Sequence, residues 1–165
     1  DDPEALVDTV IAALVGKRAR PDDVAVLAVR FAAPAVADLE LVLPTTQDGL
    51  VDMRGQLRTW LAGGNVGDDD TADAVLAVWE ACANAVEHAQ GPSQSSFRLR
   101  AMLDDAGRMR VEVRDSGQWK AGAGSSDRGL GLGLMRSLMD TVVVSPSDAG
   151  TTVVMERVVV VQSDV

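Results

Sequence analysis

One cysteine, one histidine, no tyrosine and only 3% aromatic residues leave this sequence of 165 residues short of several kinds of chemistry. The lone Cys82 excludes an intrachain disulfide and a multi-cysteine zinc site, and fits a small buried hydrophobe in a reducing compartment. Scarce rings mean that a core must be assembled from many Ala, Val and Leu contacts. No stretch approaches the roughly 20 apolar residues of a membrane span, and the opening DDPEALVD carries no basic signal-peptide segment. A soluble cytoplasmic protein with no membrane partner is therefore expected. Clusters of Lys and Arg are missing too. The 25 acidic residues outweigh 15 basic ones, for a net charge of −10, so no concentrated cationic face is expected to neutralise phosphates and no direct nucleic-acid partner is foreseen. What remains, 47% hydrophobic and 24% charged residues, is ordinary globular composition for one domain plus an appendage.

The pattern along the chain alternates between two periods. Residues 4–15, EALVDTVIAALV, space apolar groups as a helix does and stop at Gly16, after which DDVAVLAVRF has the pattern of a strand. Pro34 interrupts, and AVADLELVLP alternates as a second strand closed by Pro44. Residues 46–62 predict an amphipathic helix with Leu50, Met53, Leu57, Trp60 and Leu61 on one side. After the loop GGNVGDDD, whose acidic end suits a helix N-terminus, a long helix is expected from Thr71 to about Ala89. SSFRLRAML and RMRVEVRDS then alternate around the turn DDAG as a hairpin. A Gly/Ser-rich stretch from Gly117 to Gly133 leads to a helix ending near Asp140, and the strands TVVVS and TTVVMERVVVV are parted by PSDAG. No internal repeat is present. The order predicts an α+β fold, a two-layer sandwich with helices on one face of a mixed, mostly antiparallel sheet.

Three separated segments carry the candidate chemistry. In WEACANAVEHA, Glu80 and Asn84 share one helix face. A carboxylate beside an amide oxygen can hold Mg²⁺ that phosphates also bind, and Glu80 can serve as general base towards a hydroxyl. In VRDSGQW, Asp115 ends a strand, where a carboxylate can accept from an exocyclic amine such as that of adenine while Gly117 lets a flat ring approach. In RGLGLGLM, Gly129, Gly131 and Gly133 open a helix whose N–H groups suit an anionic phosphate. A Rossmann reading fails because Leu134 takes the third glycine position, and a Walker A reading fails because no Gly-Lys-Ser/Thr follows. Each segment alone has a bland alternative, since polar residues at helical spacing and Asp-Ser-Gly turns are common.

Together and in this order, the three segments resemble the N box and the two glycine boxes of the GHKL ATPases, over about residues 34–161, and within them the anti-sigma-factor serine kinases of bacterial sporulation and stress control. The resemblance implies a Bergerat-type ATP-binding fold. It makes Glu80 the catalytic base, Asn84 the Mg²⁺ ligand and Asp115 the reader of adenine, with Gly117 beneath the ring. Gly129, Gly131 and Gly133 fall in the ATP lid, Arg128 is similar to a lid arginine that pairs with phosphate or phosphoacceptor, and Thr151 matches a threonine supporting the adenine-binding aspartate. The lid sequence WKAGAGSSD is short, Arg128 stands directly against Gly129, and its role can pass to Lys120. His88 reads as a packed helix histidine.

Residues 1–32 resemble something else, the last helix and strand of a PP2C-type stress-regulator phosphatase. In a complete phosphatase domain Asp22 would be similar to a metal ligand, but the other carboxylates are absent and no phosphatase activity is expected. The division implied is 1–32 and 33–162, from a longer polypeptide whose Ala/Val-rich composition fits an actinobacterial multidomain regulator of sigma factors. The resemblance implies a protein-serine kinase using ATP and Mg²⁺, with a small anti-sigma-factor antagonist of STAS type as acceptor and a sigma factor as the competing partner. It leaves the oligomer open, although relatives commonly pair as homodimers. The alternative is a binding module for sigma factor or antagonist that keeps the fold without efficient transfer.

Overall fold

The computed structural model describes residues 36–88, 96–116 and 128–162, together with Val7–Thr9 and Ala12, which are helical. The chain divides into two units, Asp1–Ala32 and Ala33–Val165. Those four helical residues belong to the first unit, and every element named below belongs to the second. The strand expected over residues 22–31 lies outside the described residues.

Five strands form one sheet: β1 Leu39–Pro44, β2 Ser96–Leu103, β3 Arg108–Asp115, β4 Thr141–Ser147 and β5 Gly150–Val158, in the order β1-β2-β3-β5-β4. All four pairings are antiparallel. The sequence suggests a mixed sheet, and among the described residues the parallel part of that mixture is not seen. Pro146 is accommodated because β4 is an edge strand, where a missing N–H breaks no inner ladder. Among the described residues this unit also has three helices: α1 Gln47–Gly63, α2 Asp68–His88 and α3 Arg128–Leu138.

Period-two alternation decides which face of the sheet meets the helices. Leu41 and Leu43, Phe97 and Leu99, Met109, Val111 and Val113, and Val153 and Met155 are buried on one face. Val42, Arg98, Arg100 and Val158 point the other way and are exposed. The buried stripe of α1 is the expected one, Leu50, Met53, Leu57, Trp60 and Leu61. Thr46 starts that helix, its Oγ1 accepting from the Gly49 N–H at 3.2 Å. The buried side of α2 is almost entirely small, with Ala74, Ala77, Ala81, Cys82 and Ala85, so this helix packs closely against α1, α3 and β3. Where rings are scarce, flexible methionines fill the gaps: Met53, Met109, Met135 and Met155 are fully buried. The result is two layers, the sheet and a layer of helices in which α2 lies between α1 and α3.

Candidate functional site

The levels of the candidate residues along the molecule follow from the pitch of their elements. Arg157 of β5 is ion-paired to Asp70 in the first turn of α2, Nη2 to Oδ1 at 2.7 Å. From that level Asn84 lies fourteen residues along the helix, roughly 21 Å at 1.5 Å per residue. Thr151 lies six residues back along the strand, roughly 20 Å at 3.3–3.4 Å per residue. Asn84 and Thr151 are thus removed from that ion pair by similar lengths of their own elements. Asp115 lies beside Thr151, because β3 and β5 pair with these two residues opposite each other.

Asp115 and Thr151 occupy inward positions of their strands, in step with the buried Val113 and Val153, so both face the helix layer. Thr151 is 2% exposed, the buried polar side chain of the described core. The strand end is held tight: Gly150 adopts φ +130°, and a Cβ there would stand 2.0 Å from the Asp115 carbonyl oxygen. Only glycine permits that approach. Register therefore fixes the position of the Asp115 backbone through β5.

Glu80 and Asn84 are half-buried, one turn apart on α2. Across from Glu80 stands α3. A Cβ on Gly131 would lie 2.1 Å from Glu80 Oε1 and 2.9 Å from Cδ, so the carboxylate rests directly on the glycine backbone. Among the described residues, neither Glu80 nor Asn84 spends its side chain on a hydrogen bond or ion pair within the protein. Both are available to a ligand. Between them on the helix, Cys82 is fully buried, and burial pushes its thiol far above the ordinary range.

The glycines stand inside α3, not in a loop ahead of it. Arg128, Gly129 and Gly131 fall in its first turn, where the leading N–H groups have no helical partner and face outward along the axis. Gly133 lies deeper and exposed, with nothing within 4 Å of an added Cβ; its N–H position belongs to the helix ladder. The Arg128 side chain, Gly117, Lys120 and Asp22 lie outside the described residues. His88 is the last residue of α2, and its side chain too lies outside them.

The donor set fits Mg²⁺ accompanied by phosphates. Asn84 offers one hard oxygen beside the Glu80 carboxylate, and a cation that keeps its waters needs few protein ligands. Among the described residues, no group of three or more His, Cys, Asp or Glu side chains is placed to hold a metal ion. A cavity of about 570 Å³ lies elsewhere, lined by Met102, Leu103, Arg110, Thr141, Glu156 and Val158 among others. None of the candidate residues lines it, and its arginines are matched within the protein, Arg110 to Glu156, Arg108 to Asp104, and Arg157 to Asp70 and Asp73. It is not the candidate site. Among the described residues, no helix is long and apolar enough to cross a membrane.

Sequence reasoning misses one charged residue that joins β5 to α2 and α3, Arg157. Arg157 is in register with the buried Met109, a helix-facing position where the alternation calls for an apolar side chain. The signal was present in MERVV, as a charge out of step with the pattern.

The family described as "histidine kinase-like ATPase domain" matches residues 43–157. The serine-protein kinase RsbW of Bacillus velezensis is 37% identical over 108 residues, covering 54% of this chain and 65% of the relative. The serine-protein kinase RsbW of Bacillus licheniformis is 37% identical over 109 residues, with the same shares. The chain thus spans just under two thirds of the length of these curated relatives, 65%. Among solved structures, that of the RsbU and RsbW domains of Rv1364c from Mycobacterium tuberculosis superposes with a TM-score of 0.63 at 28% identity, covering 74% of this chain and 32% of that one. The SiaB-SiaC complex from Pseudomonas aeruginosa gives a TM-score of 0.53 at 12% identity, covering 72% of this chain and 88% of that one, a likeness of fold alone.

Proposed function

The chain belongs to the histidine kinase-like ATPase domain family, and from that premise we propose that it is an ATP-dependent protein-serine kinase and anti-sigma factor. The observation that carries the reading is the seat of the Glu80 carboxylate on the Gly131 backbone, with Asn84 one turn away; the pairing of Asp115 with Thr151 at the end of β3 and β5 supports it. We infer a nucleotide site formed by a base, a magnesium ligand, a purine reader and unpaired helix amides. The curated relatives named as serine-protein kinases support the activity.

In this reading Asp115 accepts from the adenine amine, Thr151 supports it from the neighbouring strand, and Gly117 lies under the ring. Asn84 contributes an oxygen to Mg²⁺, while the first amides of α3, Gly129 and Gly131 among them, meet the phosphates. Glu80 orients the partner's serine hydroxyl and takes its proton as the serine oxygen bonds to the γ-phosphorus and the β–γ bridging bond breaks, leaving ADP. Arg128 balances the charge that develops on the transferred group. Most of the acceleration comes from positioning and charge neutralisation.

The acceptor proposed is a small anti-sigma-factor antagonist of STAS type, and a sigma factor is the competing partner, with the kinase as a homodimer in the cytoplasm and a role in stress response. Residues 1–32 are proposed to be the tail of a PP2C-like domain joined to a kinase domain over 33–162, in an actinobacterial multidomain regulator. The division at Ala32 and the likeness to a structure of RsbU and RsbW domains support that arrangement.

Incubation with labelled ATP, Mg²⁺ and such an antagonist should label one serine of the antagonist. Glu80→Gln should abolish labelling while ATP still binds. Normal transfer by Glu80→Gln would remove Glu80 as the base, and ATP binding without transfer to any antagonist by the unaltered chain would favour the pure binding module.

A further inference from the structure

Strand β5 sends Thr151, Val153 and Met155 towards the helices and puts Arg157 on that same side. A guanidinium facing the core is costly unless its hydrogen-bonding capacity is met. Here it is met by three groups. Arg157 Nη2 donates to Asp70 Oδ1 at 2.7 Å, Nε to the same oxygen at 3.1 Å, and Nη1 to Asp73 Oδ2 at 2.8 Å. Nη1 also donates to the Leu138 carbonyl. The side chain is 20% exposed and that of Asp70 13%. Burial works against the charged form, but the hydrogen bonds that Arg157 donates to Asp73 and Asp70 outweigh it and hold the guanidinium above its usual range. Asp70 is fixed from its other side by the Val160 N–H, at 2.7 Å from Oδ2.

Leu138 closes α3, and the last carbonyls of a helix lack helical partners. Arg157 therefore caps α3 with a positive charge at the negative end of its dipole, while gripping the first turns of α2. The two helices run antiparallel from this clasp. Glu80 lies seven residues beyond Asp73, and Gly131 seven residues before Leu138, about 10.5 Å along each axis. The contact between Gly131 and Glu80 closes the far end of the pair at the matching distance.

An apolar side chain at 157 would fill the core as well as a buried ion pair does. It would not fix α3 along its own axis. That helix has 11 residues and three glycines, so it has little stability of its own and depends on what holds its ends. We propose that Arg157 is a positioning residue for the nucleotide site: by capping α3 and pinning it to α2, it sets where the Gly131 backbone stands over the Glu80 carboxylate. This rests on the nucleotide-site reading above.

The test is hydrogen exchange of the nucleotide-free chain, read by mass on peptides from α3 and α1, alongside ATP–Mg²⁺ titration by calorimetry. In Arg157→Gln, exchange in α3 should rise about tenfold with α1 unchanged, and ATP affinity should fall about tenfold, the scale of one lost charged hydrogen bond. Arg157→Lys, which keeps the charge but not the fork, should recover part of both. Should Arg157→Gln fail to fold, Asp73→Asn removes one arm at a position 38% exposed, and the same two shifts should appear in smaller measure. Equal rises in α1 and α3 would mean plain destabilisation and overturn the proposal, as would loosened α3 with undiminished ATP affinity. Unchanged exchange in α3 strikes the proposal alone. Absence of ATP binding by the unaltered chain strikes the site reading, and the proposal with it.

Discussion

A methyl group on Gly131 would stand 2.1 Å from Glu80 Oε1, so the glycine of one helix sets the resting place of the carboxylate on another. Gly131→Ala should therefore separate stability from activity. Glu80 is a flexible side chain and can swing away, and alanine favours the helix by up to about 1 kcal/mol, so the melting temperature should barely change. A carboxylate displaced by about 1 Å should nevertheless cost on the order of 100-fold in phosphotransfer. Gly133→Ala meets nothing within 4 Å and should raise stability by about 0.5–1 kcal/mol. Thermal melts of both variants beside a labelled-ATP assay check the pair; full transfer by Gly131→Ala would show that the contact does not matter.

Gly150→Ala should behave in the opposite way. Its added Cβ meets backbone, the Asp115 carbonyl at 2.0 Å and Ser116 Cα at 2.7 Å, at φ +130°. Nothing there is free to swing. A loss of about 3 kcal/mol or more is expected in urea unfolding, with ATP binding weakened in whatever remains folded. A wild-type midpoint would contradict the tight strand end described.

Stability above pH 8 should report on Cys82. The thiol is fully buried and its folded-state pKa is raised by that burial, so the folded protein holds the proton while the unfolded chain loses it. The contribution is complete below the unfolded thiol pKa, about 8.5, and declines as pH rises above it, by at most about 1.4 kcal/mol per pH unit. Cys82→Ala should flatten that decline in denaturant midpoints taken between about pH 8 and 10, the range in which an unfolded thiol titrates. The native protein should also resist alkylation at pH 8, and rapid labelling without unfolding would show the thiol to be accessible.

Much of this was legible in the sequence, because the fold rests on periodicity. The stripe Leu50, Met53, Leu57, Trp60, Leu61 and the alternation in Phe97–Ala101 and Met109–Val113 are all realised as buried faces. Element ends were less legible: the helix expected from Thr71 begins at Asp68, since three acidic residues suit its first turn. Gly129–Gly133 look like a loop by composition, yet they are helical, held by Met135 in the core and by the capped end at Leu138. Local propensity opposes that helix and tertiary contacts supply it. The segments bearing Glu80, Asp115 and the glycines could be named from sequence, but not the seat of Glu80 on Gly131 or the register that sets Asp115 opposite Thr151. Nor were the partners of the out-of-pattern Arg157 legible, since its two carboxylates lie more than 80 residues away.

The most direct test of the account is ATP–Mg²⁺ binding to the unaltered chain and to Asp115→Ala, followed by calorimetry. The account predicts one nucleotide bound per chain, and an affinity lowered by roughly 10- to 100-fold when the carboxylate is removed, the scale of a hydrogen bond to a charged group. Equal affinity in the two proteins, or no binding by the unaltered chain, would contradict it.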